Sequence, residues 1–258
     1  MNNRIEAAFQ GTKAFIPFLT CGDPSSAMTL DLVLSMAEAG ADIIELGIPF
    51  SDPIAEGPVI QQADERALKA GFKLDSFFRL VKDVRSFSAI PLVCMTYLNP
   101  VYQYGKDRFL EQAGQAGLDG IIIPDLPYEE RGEIEQACID HSIVRINMIA
   151  PTSRQRIAEV ASNSKGFLYC VSSLGVTGMR STLDDSAKRM VEQAKQATTT
   201  PCAVGFGIHT EEQARTMASF ADGVIVGSSI VHLIAEHGWR SVEAVNSYVR
   251  SMKQAVST

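Results

Sequence analysis

The sequence predicts a single α/β domain over residues 1–258, a (β/α)8 TIM barrel with an extra N-terminal helix. Short apolar runs alternate eight times with stretches of helical period. The apolar runs, such as residues 121–123, lack polar alternation, which is typical of parallel strands covered on both faces. No Pro- or Ser-rich linker divides the chain. The alternative is a doubly wound open sheet, which would need polar edge strands that we do not find.

The elements follow one another in β-α order. The predicted strands are residues 14–20, 42–48, 90–97, 119–123, 144–149, 166–171, 201–206 and 223–226. The predicted helices are residues 27–39, 75–87, 106–116, 129–140, 154–162, 183–197, 211–218 and 229–236, after an amphipathic helix at residues 1–10. Several of the helices are opened by a Ser, Asp or Thr cap and closed by Gly.

Composition excludes several classes of protein. With 46% apolar and 21% charged residues, the chain is not expected to be disordered, collagen-like or a coiled coil. The 23 Lys and Arg against 30 Asp and Glu give a net charge of −7, which disfavours nucleic-acid binding but allows a local anion site. No apolar run approaches the roughly 20 residues of a membrane span. The five cysteines form no C-x-x-C pair and are read as reduced core thiols, so we expect a cytoplasmic protein.

Reactive groups of a barrel lie at the C-terminal strand ends, where Glu45 is the first candidate. It stands in an apolar strand, where burial should raise its pKa and suit it to general acid-base catalysis near neutral pH. The alternative is a structural glutamate paired with an internal Lys or Arg.

The loop at residues 49–58 carries three prolines and is therefore rigid, so it can hold Glu56 opposite Glu45. For Asp52, a turn residue before Pro53 is the alternative to a direct role in chemistry.

Glycine-rich turns follow the last three strands, at residues 175–178, 205–207 and 227–229. Glycine allows backbone N–H groups to approach an anion, and Ser228 at the start of a helix adds a hydroxyl and the positive end of the helix dipole. Each turn alone is weak evidence, but together they indicate a phosphate site.

The four histidines suggest no site and are read as structural or surface groups. We find no metal-ligand cluster and no dinucleotide or nucleotide motif, so we expect neither a metal nor a cofactor.

Five segments, in order, carry a resemblance to a known family. They are residues 18–24 (FLTCGDP), 45–58 (ELGIPFSDPIAEGP), 123–127 (IPDLP), 175–178 (GVTG) and 205–208 (GFGI). With them the chain resembles the tryptophan synthase alpha subunit over nearly its whole length. The resemblance implies a lyase of tryptophan biosynthesis that cleaves indole-3-glycerol phosphate to indole and glyceraldehyde 3-phosphate in a retro-aldol reaction without a cofactor.

The resemblance also implies roles for individual residues. Glu45 would protonate C3 of the indole and accept the proton of the glycerol 3′-hydroxyl. Glu56 stands where the family usually has an aspartate that binds the indole N–H, a departure that adds a methylene. The remaining implied roles are catalysis for Tyr169, the indole pocket for Phe18, Tyr97, Pro124 and Ile149, phosphate binding for Gly178, Gly207, Gly227 and Ser228, and a hydroxyl on a closing loop for Thr177.

A partner is implied as well, a PLP-dependent beta subunit that receives indole through a tunnel in an alpha2beta2 heterotetramer. The PLP belongs to that partner, and Pro49, Asp52 and Pro53 would lie at the interface. Two further hypotheses remain open. One is a subunit that has lost most of its own activity and serves as a docking activator. The other is a barrel enzyme on a neighbouring phosphosugar, which would need a catalytic Cys or Lys with an Asp at the strand ends.

Overall fold

The computed structural model describes residues 4–153, 156–172, 180–205 and 207–258. Within them, nine parallel strand segments form one sheet in the order β5-β4-β3-β2-β1-β9-β8-β7-β6. The strands are β1 (Ala14–Thr20), β2 (Ile44–Gly47), β3 (Leu92–Met95), β4 (Gly120–Ile122), β5 (Val144–Arg145), β6 (Asn147–Ile149), β7 (Leu168–Val171), β8 (Cys202–Gly205) and β9 (Gly223–Val226).

The two ends of this sheet are two pieces of one extended segment. Only Ile146 separates β5 from β6, and its N–H donates to the carbonyl of Ile121 at 2.9 Å. Because β5 pairs with β4 and β6 pairs with β7, the sheet closes on itself. The predicted eight-stranded barrel is therefore confirmed, with the fifth predicted strand in two pieces.

Helices surround the strands. In the described part of the chain they are α1 (Arg4–Ala7), α2 (Ser26–Glu38), α3 (Pro58–Lys69), α4 (Leu74–Arg85), α5 (Leu98–Tyr104), α6 (Lys106–Ala116), α7 (Gly132–Asp140), α8 (Ile157–Ser162), α9 (Arg180–Lys195), α10 (Glu211–Ala218), α11 (Ser228–His237) and α12 (Ser241–Ser257). The predicted helices are present; α6 and α10 have the predicted bounds, and the others have shifted ends.

Three helices were not predicted from the sequence. In α3, Pro58 occupies the first turn, which a helix tolerates because that N–H has no intrahelical partner; the prolines before it favoured a loop instead. The short α5 contains Pro100 after Asn99, a pair typical of turns. The long α12 buries one face at helical spacing, a signal that the sequence does carry.

The strands are buried on both faces because the barrel has two separate apolar cores. Along β1, Ile16 and Phe18 point into the barrel, whereas Phe15 and Leu19 point outward against the helices. The other strands divide in the same way. This is why the strand sequences lack polar alternation.

The N-terminal helix closes the bottom of the barrel. Ile5 of α1 is fully buried in the inner core, and a side chain at Gly120 would meet it at 2.9 Å. Arg4 forms a salt bridge with Asp119 at 2.9 Å, which anchors this helix to the start of β4. Among the described residues, Ile5 thus fills the end of the barrel interior opposite to the C-terminal strand ends.

Two further expectations concern the environment of the protein. Among the described residues, no helix combines the length and hydropathy needed to cross a membrane. All five cysteines are buried and free, which agrees with the prediction of reduced core thiols. Burial raises the pKa of the Cys138 thiol to about 12.

Candidate active site

A cavity opens at the C-terminal ends of the strands, where the barrel sequence placed the reactive groups. Its walls come from strand ends on both halves of the barrel and from the loop between β2 and α3. The described residues that line it are Phe18, Glu45, Glu56, Ile60, Met95, Tyr169, Gly207, Ile208, His209, Ile225, Gly227 and Ser228. The lining thus combines two carboxyl groups, a mainly apolar wall and a glycine-rich end.

Glu45 points into the barrel from β2. Its register partners Phe18 and Val93 belong to the inner core, and side chains at one register position share a face. The residue is 1% exposed, and neither carboxyl oxygen meets a hydrogen-bond donor among the described residues. Burial raises the pKa of Glu45 to about 8. The alternative of an internal Lys or Arg partner is therefore wrong for the described residues, and Glu45 is a neutral acid at pH 7.

Glu56 reaches the same cavity from the loop before α3. Burial raises its pKa, a hydrogen bond with Asp64 lowers it, the charge of Glu45 raises it and the Tyr97 hydroxyl lowers it. Glu56 therefore has polar neighbours, Asp64 and Tyr97, that Glu45 lacks. Two carboxyl groups that face one cavity in different environments can take different roles.

Glycines at the strand ends make room for the aromatic walls. A side chain at Gly47 would come within 2.5 Å of the Phe18 ring, and one at Gly227 within 3.2 Å. A side chain at Gly205 would come within 2.6 Å of the Tyr169 hydroxyl. Gly205 thus leaves room for Tyr169, and the Phe18 and Tyr169 rings line the cavity beside the carboxyl groups.

Tyr97 holds the loop that carries Glu56. Its side chain is 1% exposed, its ring lies 5.2 Å from that of Phe50, and its hydroxyl accepts a hydrogen bond from the Ala55 N–H at 3.0 Å. The prediction placed Tyr97 in the wall of the pocket. The structure instead places it directly behind the wall, where it fixes the loop.

Two predicted wall residues lie elsewhere. Ile149 is buried in the outer core between β6 and the helices, because its strand position points away from the interior that Met148 faces. Pro124 lines a separate cavity with Arg145 and Asn147. The prediction that Ile149 and Pro124 line the same pocket as Phe18 is therefore wrong, since sequence position near a strand end does not determine which way a side chain points.

The glycine-rich end of the cavity brings together Gly207, Gly227 and Ser228. Ser228 is the first residue of α11, and the Ile230 N–H already donates to the Gly227 carbonyl at 2.9 Å, so the N–H groups of Ser228 and Ser229 are the ones at the helix N-terminus without a preceding turn. Gly207 has φ +73°, a conformation that favours glycine. The arrangement suits an anion. The predicted Thr177 and Gly178 lie outside the described residues.

Sequence reasoning missed two polar residues of this region. His209 lines the cavity beside Gly207, with its Nδ1 3.0 Å from the Ser229 hydroxyl, although the histidines were read as structural or surface groups. Asp64 lies under Glu56 and is 3% exposed. His209 could have been found from its place directly after the glycine turn. Asp64 could not, because α3 was not predicted.

The rigid loop is buried at one end and exposed at the other. Pro49 is buried in this chain, and its place at a partner interface stays a prediction. Asp52 is exposed and its carboxylate accepts from the Ser51 hydroxyl, while Pro53 is half-buried. Ile54 is 80% exposed, which is unusual for so large an apolar side chain next to a cavity.

Comparisons with known proteins agree on one family. A family model described as tryptophan synthase alpha chain matches residues 6–257. The tryptophan synthase alpha chain of Halalkalibacterium halodurans is 48% identical over 91% of this chain and 89% of its own length. A crystal structure of tryptophan synthase subunit alpha from Legionella pneumophila superposes with a TM-score of 0.90, at 38% identity and 99% coverage of both chains. A chain of the tryptophan synthase complex from Pyrococcus furiosus has a TM-score of 0.84 at 37% identity, covering 93% of this chain and 98% of that one.

The buried Glu45 should make Glu45→Gln more stable than the wild type at alkaline pH. Between the ordinary glutamate pKa of 4.5 and about 8, the folded chain holds a proton that the unfolded chain has lost, so stability falls as pH rises. The amide does not titrate. We expect the free energy of unfolding of Glu45→Gln to rise relative to wild type by roughly 2 to 4 kcal/mol between pH 5 and pH 8.

Urea unfolding of both proteins at several pH values measures this difference. Glu159→Gln, at an exposed position on α8, is the matched control and should show no such trend. A constant difference between Glu45→Gln and wild type over this range would contradict a buried, protonated Glu45.

Proposed function

The chain belongs to the tryptophan synthase alpha chain family, and on that premise we propose that Glu45 and Glu56 carry out the chemistry of its reaction. The family reaction is the cleavage of indole-3-glycerol phosphate in tryptophan biosynthesis, and this chain is a lyase of that kind. The observation that carries the proposal is the pair of carboxyl groups with different environments in one mainly apolar cavity. Glyceraldehyde 3-phosphate and indole are the products.

Glu45 acts as general acid and then as general base. Its proton passes to C3 of the indole, which leaves the ring positively charged. The carboxylate so formed accepts the proton of the glycerol 3′-hydroxyl while the bond between C3 and C3′ breaks and its electron pair returns to the ring. Glu45 ends protonated, as it began. A pKa of about 8 suits both directions of transfer near neutral pH.

Glu56 accepts a hydrogen bond from the indole N–H and stabilises the charge on the protonated ring. In a water-poor cavity a carboxylate placed where charge develops contributes far more than it would in water. Tyr169 lies beside Glu45, whose charge raises the pKa of the phenol further after burial has raised it. The tyrosine therefore remains protonated and is able to donate a hydrogen bond toward the substrate.

The glycine-rich end binds the phosphate. Support comes from the first turn of α11 at Ser228 and from the close backbone approach allowed at Gly207 and Gly227. This fixes the indole end of the substrate against Phe18 and the two carboxyl groups. All of these steps use side chains and backbone of this chain, so we propose a reaction without a cofactor.

The partner is a beta subunit, as the Pyrococcus furiosus structure is that of a tryptophan synthase complex. We propose an alpha2beta2 assembly in which PLP belongs to the beta subunit. The exposed Asp52 and Ile54 of the rigid loop support an interface at the barrel mouth, where released indole would leave. The buried free thiols support a reducing, cytoplasmic location.

Glu45→Gln tests the proposal most simply. Because the amide cannot transfer a proton, we expect indole release from indole-3-glycerol phosphate to fall by roughly 10²- to 10⁴-fold, with the fold intact. The assay is run on the isolated chain and again with a beta subunit added. Turnover above about a tenth of the wild-type value would remove Glu45 from the mechanism.

Variants of Glu56 test the second carboxylate. Glu56→Ala and Glu56→Gln should lower turnover severely, since loss of such stabilisation is usually worth roughly 3 to 4 kcal/mol. Glu56→Asp should stay within about tenfold of wild type in either direction, because the pocket fits the longer side chain. Steady-state kinetics of the three variants and of wild type measures these changes in turnover. Wild-type turnover in Glu56→Ala would exclude the two-carboxylate mechanism, and a large gain in Glu56→Asp would favour a docking activator with impaired activity.

Acidic substitutions at the glycine-rich end test the phosphate site. Gly207→Asp and Gly227→Asp should raise KM steeply, because a negative side chain would occupy the space of the phosphate. Gly132→Asp is a control, since Gly132 lies at the start of α7 with open space around it. If KM were unchanged in both test variants, the phosphate would bind elsewhere.

A further inference from the structure

Asp64 is a buried carboxyl group directly beneath the loop that carries Glu56. It lies in the second turn of α3 and is 3% exposed. The same helix is tied to the barrel by Arg66, which forms two hydrogen bonds with Asp23 at 2.9 and 2.7 Å. Asp64 is therefore held in place by its helix and is not a mobile surface acid.

The carboxyl groups of Asp64 and Glu56 face each other. Asp64 Oδ2 and Glu56 Oε2 are both buried, and neither meets an N–H or O–H donor among the described residues. The two side chains nevertheless act on each other as hydrogen-bond partners. Two carboxylates cannot both be ionised in contact away from water, and a hydrogen bond between them requires a proton on one of them.

The surroundings favour a proton on Asp64 and a charge on Glu56. Burial and the facing Glu56 raise the pKa of Asp64, and the backbone of Phe50 and the hydroxyl of Thr20 lower it less. Burial raises the pKa of Glu56, and the charge of Glu45 raises it further. The hydrogen bond with Asp64 and the Tyr97 hydroxyl both act in the opposite direction and lower this pKa.

The other titratable groups that act on this pair are Glu45 from β2, Tyr97 after β3 and Cys21 after β1. Burial raises the pKa of both the tyrosine and the thiol, so neither is ionised at neutral pH. The buried Glu45 holds its own proton, as described above. Burial and the contact between the two carboxyl groups therefore favour one proton shared by the pair.

We infer that Asp64 is a positioning residue for Glu56: it keeps one shared proton between the two carboxyl groups and fixes one Glu56 oxygen, leaving the other directed at the cavity. The inference rests on the role proposed for Glu56. It explains how the long Glu56 side chain is held in one orientation, because a second buried carboxyl group restrains it. No net proton transfer is involved.

Asp64→Asn and Asp64→Ala separate this role from a purely structural one. Asparagine keeps a donor toward Glu56, so we expect kcat within about threefold of wild type. Alanine removes the donor, so we expect kcat to fall at least tenfold with KM changed less than threefold. Glu65→Ala, an exposed position on the same helix, is the control and should behave as wild type. Equal kcat in wild type and Asp64→Ala would overturn the inference.

Carbon-13 NMR of protein labelled at the aspartate side-chain carbonyl gives a test without substrate. Wild type should show one aspartate signal of a neutral carboxyl group at pH 7, absent from Asp64→Asn. In protein labelled at glutamate, the Glu56 titration midpoint should be higher in Asp64→Ala than in Asp64→Asn. Absence of the neutral aspartate signal in wild type would overturn the inference even if Asp64→Ala did not fold. These NMR readouts do not depend on turnover. They therefore distinguish a failure of the inference about Asp64 from a failure of the proposed reaction.

Discussion

The exclusion of water from the barrel interior is the constraint on which the rest of the site depends. Ile5 of the N-terminal helix fills the bottom, and the Phe18 and Tyr169 rings fill the space beside the carboxyl groups. A glutamate placed on β2 between these walls loses its hydration and keeps its proton. The chemistry of Glu45 thus follows from packing and not from a charged neighbour.

The packing of the barrel interior also gives the two glutamates different surroundings. Glu45 has no donor among the described residues, whereas Glu56 comes from a loop that Tyr97 fixes and that lies over Asp64. The two carboxyl groups therefore lie in different surroundings within one cavity and can take different roles. The cost is stability, since a buried acid without a partner opposes folding at alkaline pH, as is common for functional groups.

The sequence predicts the barrel well because the strand runs and helix periods are local signals. Glu45, Glu56, Tyr169, Gly207, Gly227 and Ser228 were also named from the sequence, and the cavity brings them together. Side-chain direction was less predictable: Ile149 follows the alternation of β6 into the outer core. Asp64 was missed because its position depends on α3 folding back under the loop, a tertiary contact that no local pattern records.

The protonation of Glu45 at neutral pH is the central claim, and infrared spectroscopy measures it directly. The difference spectrum of wild type minus Glu45→Gln, recorded from pH 5 to pH 10, isolates the carbonyl stretch of this protonated carboxyl group. We expect the band to be present at pH 7 and to disappear with a midpoint near 8. A spectrum without that band at pH 6 would mean that Glu45 is ionised in the folded protein, which would contradict its role as a protonated acid.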